Sequence, residues 1–231
     1  MHVQSVKLVN FRNYKAAAID FTAARNIVIG DNAQGKTNLL EAIEICSTGK
    51  SPRADRDFEL ILQGESVSSF VVAFNRDSYD ETLTIELASS GEPNKAGETK
   101  VRKVIKVNGV VQSSLKGLLG KLPVVSFKSS DLNLLRGGPR FRRDWVDGIG
   151  VRLRPAFHDT LTNLQKALAQ RNRLLRNICE QGKLTVADQD QLSVWDKQLA
   201  RFSTLVIKER LKILNELLPL CQEYQHHLSR S

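Results

Sequence analysis

The sequence lacks the features of membrane proteins, of secreted proteins and of metal sites built from cysteine or histidine. No apolar run approaches the roughly 18 residues of a membrane-spanning helix. The start, MHVQSVKLVNF, alternates apolar and polar residues like a half-buried strand and has no apolar core of a secretory signal. Cys46, Cys179 and Cys221 are odd in number, far apart and outside metal-ligand spacing. We therefore expect a cytoplasmic protein with reduced, buried thiols and no membrane partner.

Catalytic motifs of several kinds are also missing. The four histidines have no metal-binding spacing with cysteine or carboxylate, and no serine or cysteine triad can be assembled from the sequence. No apolar strand ends in the paired acidic residues of a Walker B motif, because FVVAFNRD carries Arg76 instead. No LSGG-type signature is present, because LRGGPR lacks the serine. Nucleophilic catalysis and catalysis at a cysteine- or histidine-bound metal therefore find no support in the sequence, and any ATPase site within it is incomplete.

Positive charge, in contrast, is abundant. The formal net charge is +9 over 231 residues. Clustered lysine and arginine gain affinity for polyanions by releasing counterions from phosphates, so nucleic acid is a plausible partner. The charge by itself is equally consistent with a basic surface kept for solubility.

The chain divides into two regimes. Up to about residue 127 short strand-like runs dominate, with helical segments after Gly35, at Arg56 to Leu62 and at Ser114 to Leu119. Asn108 and Gly109 between alternating arms predict a hairpin, and SSGEPNKAGETK is typical of a polar connection. The predicted strands are Val3 to Phe11, Ala18 to Thr22, Asn26 to Ile29, Ser69 to Phe74, Thr82 to Leu87, Val101 to Val107 and Leu122 to Phe127.

After about residue 130 the pattern becomes helical. Apolar residues recur at helical steps in one run from Phe157 to Ile178 and in a second from Leu192 to Leu220. Thr185 with Asp188 three residues on resembles a capping box between them. This pattern predicts two helices folded back on each other.

The segment GDNAQGKT fits the phosphate-loop motif G-x-x-x-x-G-K-T, and it lies between the apolar run NIVI and the helical NLLEAIEI, as a P-loop requires. In such a loop the backbone N–H groups and the helix N-terminus face phosphate oxygens. Lys36 would then reach the β and γ phosphates of ATP, and the Thr37 hydroxyl would ligate Mg²⁺. The predicted nucleotide-binding residues are Gly30, Asp31, Asn32, Ala33, Gln34, Gly35, Lys36 and Thr37.

A phosphate loop does not by itself name a function. A small-molecule or nucleotide kinase uses the same loop, but there the loop usually follows the first strand. Here two strand-like runs precede it, which favours the ATP-binding-cassette (ABC) arrangement by analogy of fold.

Four segments, VKLVNFRNYK, GDNAQGKTNLLEAIEI, FKSSDLNLLRGGPRFRRDWVD and LAQRNRLLRN, resemble the RecF family of bacterial DNA replication and repair proteins in order and approximate spacing. The resemblance implies an α/β fold: an ABC-type P-loop ATPase head, here incomplete, with an inserted helical, coiled-coil-like arm. It suggests the N-terminal part of the head at residues 1–150 and part of the arm at 151–231. By similarity with SMC-type heads, Arg12 and Asn13 would lie beside the nucleotide.

The resemblance also implies a function and partners. Family members bind ATP with Mg²⁺, form ATP-dependent homodimers and associate with single-stranded or gapped DNA in recombinational repair, the damage response and fork maintenance. The recombination mediator RecR is an implied partner. For DNA, the residues themselves offer the cluster RGGPRFRRD, whose arginines could neutralise backbone phosphates without reading sequence, or could instead pair with Asp144 and Asp147. The DNA-binding candidates are Arg136, Arg140, Arg142 and Arg143.

Three hypotheses therefore remain: a RecF-type, ATP-controlled DNA-binding protein, a P-loop kinase, and a noncatalytic module whose helical hairpin binds another protein. For the full-length family the resemblance implies a weak DNA-dependent ATPase. Because Walker B and signature motifs lie in the C-terminal portion of such proteins, we expect the 231 residues to be a truncated head that binds nucleotide without sustained hydrolysis.

Overall fold

The structure, a computed structural model, describes residues 1–93 and 99–229, which form two compact units. The first unit spans Met1–Phe127 and the second begins at Lys128. The predicted boundary between the ATPase head and the helical arm, at residue 150, stays a prediction. The boundary between the two packing units lies earlier, because the helix Pro139–Leu153 packs on the helix Val186–Ser229 of the second unit.

The first unit is built on a six-stranded antiparallel sheet in the order β2-β1-β3-β4-β5-β6. Alternate residues of each strand face one side, and a row of directly paired residues shows where the core lies: Leu8, Phe70, Ile85 and Ile105 are aligned across four strands and all are buried. The strands are β1 His2–Phe11, β2 Tyr14–Asp20, β3 Val67–Arg76, β4 Tyr79–Pro93, β5 Thr99–Val107 and β6 Val110–Val111.

Helix α1, Lys36–Thr48, covers the buried face of this sheet and contacts β3 and β4. Its Leu39, Ala42 and Ile45 recur at three-residue spacing and are almost completely buried. The helix ends at Gly49, whose φ of 74° is a conformation that favours glycine. A Cβ at this position would lie 1.9 Å from a methyl carbon of Leu115, so the short turn Leu115–Gly117 packs directly on the helix end.

The sequence-based predictions for the antiparallel strands are confirmed in outline. Asn108 and Gly109, with φ of 49° and 79°, turn β5 into β6 as the hairpin signal predicts. Strand β2 begins at Tyr14, four residues earlier than predicted, and ends at Asp20. The predicted polar connection is shorter than expected, because β4 continues to Pro93 and β5 begins at Thr99; residues 94–98 lie outside the described residues.

Two predicted strands, Asn26 to Ile29 and Leu122 to Phe127, are wrong, since both segments are irregular. A strand needs a hydrogen-bonding neighbour, and no strand within 1–93 and 99–229 pairs with either segment. Several of their apolar side chains are exposed, with Ile27 at 85%, Ile29 at 88% and Phe127 at 92%, whereas Leu122 packs into the core. Both predicted short helices form only single 3-10 turns, Asp57–Leu60 and Leu115–Gly117.

The second unit is helical, and its predicted helix pair is confirmed. Thr185 and Asp188 form the expected capping box: the Thr185 amide and hydroxyl donate to Asp188 Oδ2 at 3.0 and 2.6 Å, and the Asp188 amide donates back to the Thr185 hydroxyl at 3.2 Å. The helices are α2 Asn133–Arg136, α3 Pro139–Leu153, α4 Phe157–Gln181 and α5 Val186–Ser229, of which α4 and α5 pack together.

Ion pairs join α3 and its C-terminal cap to α5. Arg210 on α5 donates two hydrogen bonds to the Asp147 carboxylate, at 2.8 and 2.7 Å. Arg154, which caps α3, pairs with both Glu209 and Glu216 one helical heptad apart. Gly150 lets the helices approach closely, because a Cβ there would lie 2.7 Å from Ile213 Cδ1.

The cysteine prediction is correct in part. Cys46 on α1 is a buried free thiol, and its burial raises the pKa of the thiol. Cys179 and Cys221 are exposed on α4 and α5, contrary to the prediction, because neither helix face is covered there by described residues. In the parts of the chain that the structure describes, no helix combines the length and apolar character needed to cross a membrane.

Candidate functional site

The predicted phosphate loop curls between the irregular run at Ile29 and the first turn of α1. Gly30, Ala33 and Gly35 have φ of 153°, 66° and 105°, which turn successive peptide groups in a way that an extended chain cannot. Gly35 is also confined by its neighbours, since a Cβ there would lie 2.9 Å from Asn13 Oδ1 and from the ring of Tyr14. Position 35 therefore tolerates only glycine, for both conformational and steric reasons.

The first turn of α1 provides hydrogen-bond donors without competing acceptors. The helix begins at Lys36 with no side-chain cap and no acidic residue in its first turn. Its unpaired amides and positive N-terminal end are consequently available to an anion. The Lys36 ammonium donates to the backbone carbonyls of Gly30 and Asp31, each at 2.6 Å, so the lysine spans the opening of the loop.

These residues fit the phosphate chain of a nucleotide. A Cβ at Gly30 would meet nothing within 4 Å, which shows that this side of the loop is open. Thr37, the next residue of the first turn, is exposed and offers a hydroxyl oxygen, a ligand type that Mg²⁺ accepts. Within residues 1–93 and 99–229 no group of three or more His, Cys, Asp or Glu could hold a metal.

Asn13, predicted to lie beside the nucleotide, contacts the phosphate loop. Its Nδ2 donates to the Ala33 carbonyl at 3.3 Å, and its Oδ1 accepts a hydrogen bond from Asn38 Nδ2 at 2.8 Å. Asn38 directly follows Thr37 on α1. The turn after β1 and the first turn of α1 are therefore linked through two amide side chains.

Arg12, the other predicted neighbour of the nucleotide, has its guanidinium turned toward a buried carboxylate. Its Nε and Nη2 donate to the two oxygens of Glu41 at 3.0 and 2.6 Å, and its Nη1 donates to the Glu59 carbonyl at 3.0 Å. Its φ of 54° is unusual for a residue other than glycine. The backbone N–H of Arg12 is fixed by the Leu60 carbonyl at 2.9 Å, so this conformation is held on both sides.

Glu41 is a functional candidate that the sequence analysis missed. Its side chain is only 1% exposed, and besides Arg12 it accepts a hydrogen bond from the Ser51 hydroxyl at 2.5 Å and lies 3.5 Å from Arg53 Nη1. Burial alone would raise the pKa of this carboxyl, but the hydrogen bonds from Arg12 and Ser51 and the charges of both arginines outweigh burial and hold the pKa below its usual value. The sequence did indicate that Glu41 would be buried, because Glu41 lies one helical turn before the core residue Ile45 and therefore on the same face of the helix.

The four candidate DNA-binding arginines all lie in the second unit, around the junction of α2 and α3, and all are exposed. Arg140 reaches Asp144 only loosely, at 3.5 Å, and Arg142 donates to the carbonyls of Leu134 and Gly137. Asp147, the other acidic residue expected to pair with them, is engaged by Arg210 instead. The cluster therefore keeps most of its positive charge on the surface.

The sheet, the helix that covers it and the loop between them define the class of protein: the fold is that of an ABC-type P-loop ATPase head. A sequence model of the AAA domain matches residues 5–228, and the chain belongs to that family.

Among curated proteins the chain is similar to the DNA replication and repair protein RecF of Cyanothece sp., with 37% identity over 229 residues, and to that of Gloeobacter violaceus, with 39%. These alignments cover 99% of this chain but 57% and 58% of those proteins, so the chain spans little more than half the length of the relatives it matches. Its resemblance is to their N-terminal portion.

A solved structure of the recombination mediator protein RecF-ATP in the RecFOR pathway superposes with a TM-score of 0.80 at 31% identity. The superposition covers 93% of this chain and 54% of that one. The recognition of a RecF-type head from sequence is confirmed by these similarities.

Proposed function

We propose that the protein binds ATP at the loop Gly30–Thr37, with Mg²⁺ at Thr37, and acts as a RecF-type ATPase in DNA replication and repair. The observation that carries the proposal is the loop itself: unpaired first-turn amides, a lysine spanning the opening and an open side at Gly30. The similarity of the whole chain to RecF proteins, one of them described with ATP, supports the same assignment. Asn13 would line the loop, with Arg12 behind it.

The proposed partner is DNA, single-stranded or gapped and bound without sequence preference. The support is the net charge of +9 and the exposed arginine cluster on the second unit. Contacts from arginine to phosphate position a protein on DNA and carry no base information. In this proposal ATP controls the formation of a homodimer on DNA in the cytoplasm. The association with RecR is proposed because the similar solved structures belong to the RecFOR pathway.

The DNA-binding part is tested by replacing Arg140, Arg142 and Arg143 with alanine together. We expect affinity for unrelated single-stranded and gapped DNAs to fall by a similar factor, on the order of tenfold to a hundredfold at low salt. The slope of log affinity against log salt should decrease by about two to three, because about three phosphate contacts are lost. Fluorescence anisotropy of labelled oligonucleotides over a salt series measures both quantities.

A matched control removes the same charge from the first unit. Lys7, Lys15 and Arg102 are exposed on β1, β2 and β5, and replacing all three with alanine should change the affinity for DNA much less. If both triple variants lose affinity and salt slope equally, binding depends on net charge alone and the cluster is not the DNA site. If neither changes, DNA is not bound through these arginines.

A further inference from the structure

The exposed face of α3 carries two aromatic side chains about one helical turn apart. Phe141 and Trp145 are 50% and 41% exposed. Residues four apart are neighbours on a helix surface, with about 5–6 Å between their Cβ atoms. A single exposed apolar residue is ordinary on a protein surface, but two adjacent rings form a patch, and exposed patches mark contact surfaces. The pair is therefore a candidate contact surface.

The opposite face of α3 packs on α5. Val146 and Gly150 are buried, and the carboxylate of Asp147 accepts two hydrogen bonds from Arg210 of α5. With 3.6 residues per helical turn, these three residues of α3 centre on the side of the helix opposite the two rings. Helix α3 is therefore held in place without the aromatic pair.

The surroundings of the two rings suit a flat ligand. The ring of Phe141 lies against the glycine turn before α3, because a Cβ at Gly137 would lie 2.5 Å from its Cδ2 atom. Three residues after Trp145, Gly148 leaves the helix surface bare: the nearest atom to a Cβ there, outside the helix backbone, is Arg152 Nη2 at 3.9 Å. Arg152 Nε donates to the Gly148 carbonyl at 3.1 Å, so its guanidinium lies on the same face. A planar group can therefore approach the indole without meeting a side chain at position 148.

Positive charge surrounds the aromatic pair. Arg140, Arg142 and Arg143 are interleaved with the rings along α3, and all three are exposed. Arg142 donates through Nη1 to two backbone carbonyls at the junction of α2 and α3, which holds its guanidinium there. Asp144, the one acidic residue from 140 to 145, lies 3.5 Å from Arg140. Three arginines against one carboxylate leave net positive charge beside the rings.

Single-stranded nucleic acid matches both properties of this face. Its phosphates are negatively charged and its unpaired bases present planar faces, whereas the bases of a duplex are stacked on each other. Proteins that bind single strands combine a basic surface with aromatic side chains on which bases stack. A protein partner would need acidic groups opposite the arginines and an apolar surface opposite the rings, while nucleic acid supplies a charge and a planar group in every nucleotide.

We propose that the exposed face of α3 binds single-stranded DNA through its bases, with Phe141 and Trp145 each stacking on an unpaired base and the neighbouring arginines holding the phosphates. This inference rests on the proposed binding of DNA by the arginine cluster. It makes the single strand of a gap, rather than the duplex beside the gap, the part of the DNA that this face takes. Stacking is tolerant of sequence, because every base has a planar face.

The first test is the fluorescence of Trp145. In a Trp195→Phe protein Trp145 is the only tryptophan, and stacking on bases should quench its emission. Saturable binding of an oligothymidine should therefore quench the emission strongly. An abasic oligonucleotide of the same length and charge should bind through the arginines with little quenching. Equal quenching by both strands, or binding of oligothymidine without quenching, would overturn the inference.

The second test is affinity, measured by fluorescence anisotropy over a salt series. Replacing Phe141 and Trp145 together with leucine keeps the charge and the apolar character but removes the rings. Affinity for oligothymidine should fall about fivefold or more for each ring, with an unchanged salt slope because no arginine is lost. Affinity for the abasic strand and for a duplex should not change, nor should the thermal unfolding midpoint. Tyr79→Leu, which removes an exposed ring from β4, is the matched control and should bind like the wild type.

The outcomes separate this inference from the proposed function. If the triple arginine variant loses DNA binding but the double leucine variant binds oligothymidine normally, DNA binding at the cluster stands and stacking does not. An equal loss for oligothymidine, abasic strand and duplex would also overturn the inference. A wild type that is a dimer without DNA, together with a monomeric leucine variant, would make this face an interface between two copies instead. If the wild type binds no DNA, the proposed DNA binding fails together with the inference.

Discussion

Lys36→Ala is expected to reduce the affinity for ATP on the order of a hundredfold, because charge-assisted hydrogen bonds to phosphate are among the strongest single contacts a side chain makes. The Lys36 ammonium donates to the carbonyls of Gly30 and Asp31, which are weaker partners than a triphosphate. Binding would therefore exchange two neutral acceptors for charged ones. Alanine removes this gain and leaves the rest of the loop in place.

The measurement is equilibrium binding of ATP to both proteins, with circular dichroism to verify folding. Lys7→Ala serves as the control, since Lys7 is an exposed lysine on β1 with the same charge. Full affinity in a folded Lys36→Ala protein would contradict the assignment of Gly30–Thr37 as the phosphate site. Equal losses in both variants would show that only net charge matters.

Phe70→Ala is expected to have the largest effect on stability, a loss of about 3–5 kcal/mol in the free energy of unfolding. Phe70 is completely buried at the centre of β3, and its ring centroid lies 4.8 Å from that of Phe11. It is paired directly with Leu8 on one side and Ile85 on the other. Alanine would leave a cavity between three strands, which a close-packed sheet cannot fill by small movements.

Val71→Ala is the matched control for this prediction. Val71 is the next residue of β3, faces the opposite side of the sheet and is only half-buried, so its truncation should cost about 1 kcal/mol or less. Urea unfolding followed by circular dichroism gives both values. If Phe70→Ala were no more destabilising than Val71→Ala, the core would not lie on the side of the sheet that α1 covers.

Much of the fold could be predicted from sequence because its signals are local. Alternating residues such as Phe70, Val72 and Phe74 identify a half-buried strand without knowledge of its neighbours. The Asn108–Gly109 turn and the Thr185–Asp188 capping box likewise depend on a few adjacent residues. The structure has the turn and the capping box at the predicted residues.

The wrong predictions concern segments whose structure depends on distant partners. The runs at Asn26 to Ile29 and Leu122 to Phe127 have strong strand composition, yet pairing decides whether a strand forms, and composition does not report pairing. The site shows the same limit. The phosphate loop was predicted residue by residue from its motif, whereas Glu41, Ser51 and Arg53 are brought together only by the turn after α1. No known motif spacing predicts the contact of Glu41 with Ser51 and Arg53.

The central claim, that the phosphates of ATP are held by the loop Gly30–Thr37, is tested most directly by the backbone amide signals of that loop. A nitrogen–proton correlation spectrum of the isotope-labelled protein would be recorded during titration with Mg²⁺ and ATP, and again with adenosine, which has no phosphates. The predicted result is that the largest shifts fall on amides from Gly30 to Asn38 and that adenosine leaves these signals unchanged. Saturable binding of ATP with those amides unmoved would contradict the claim.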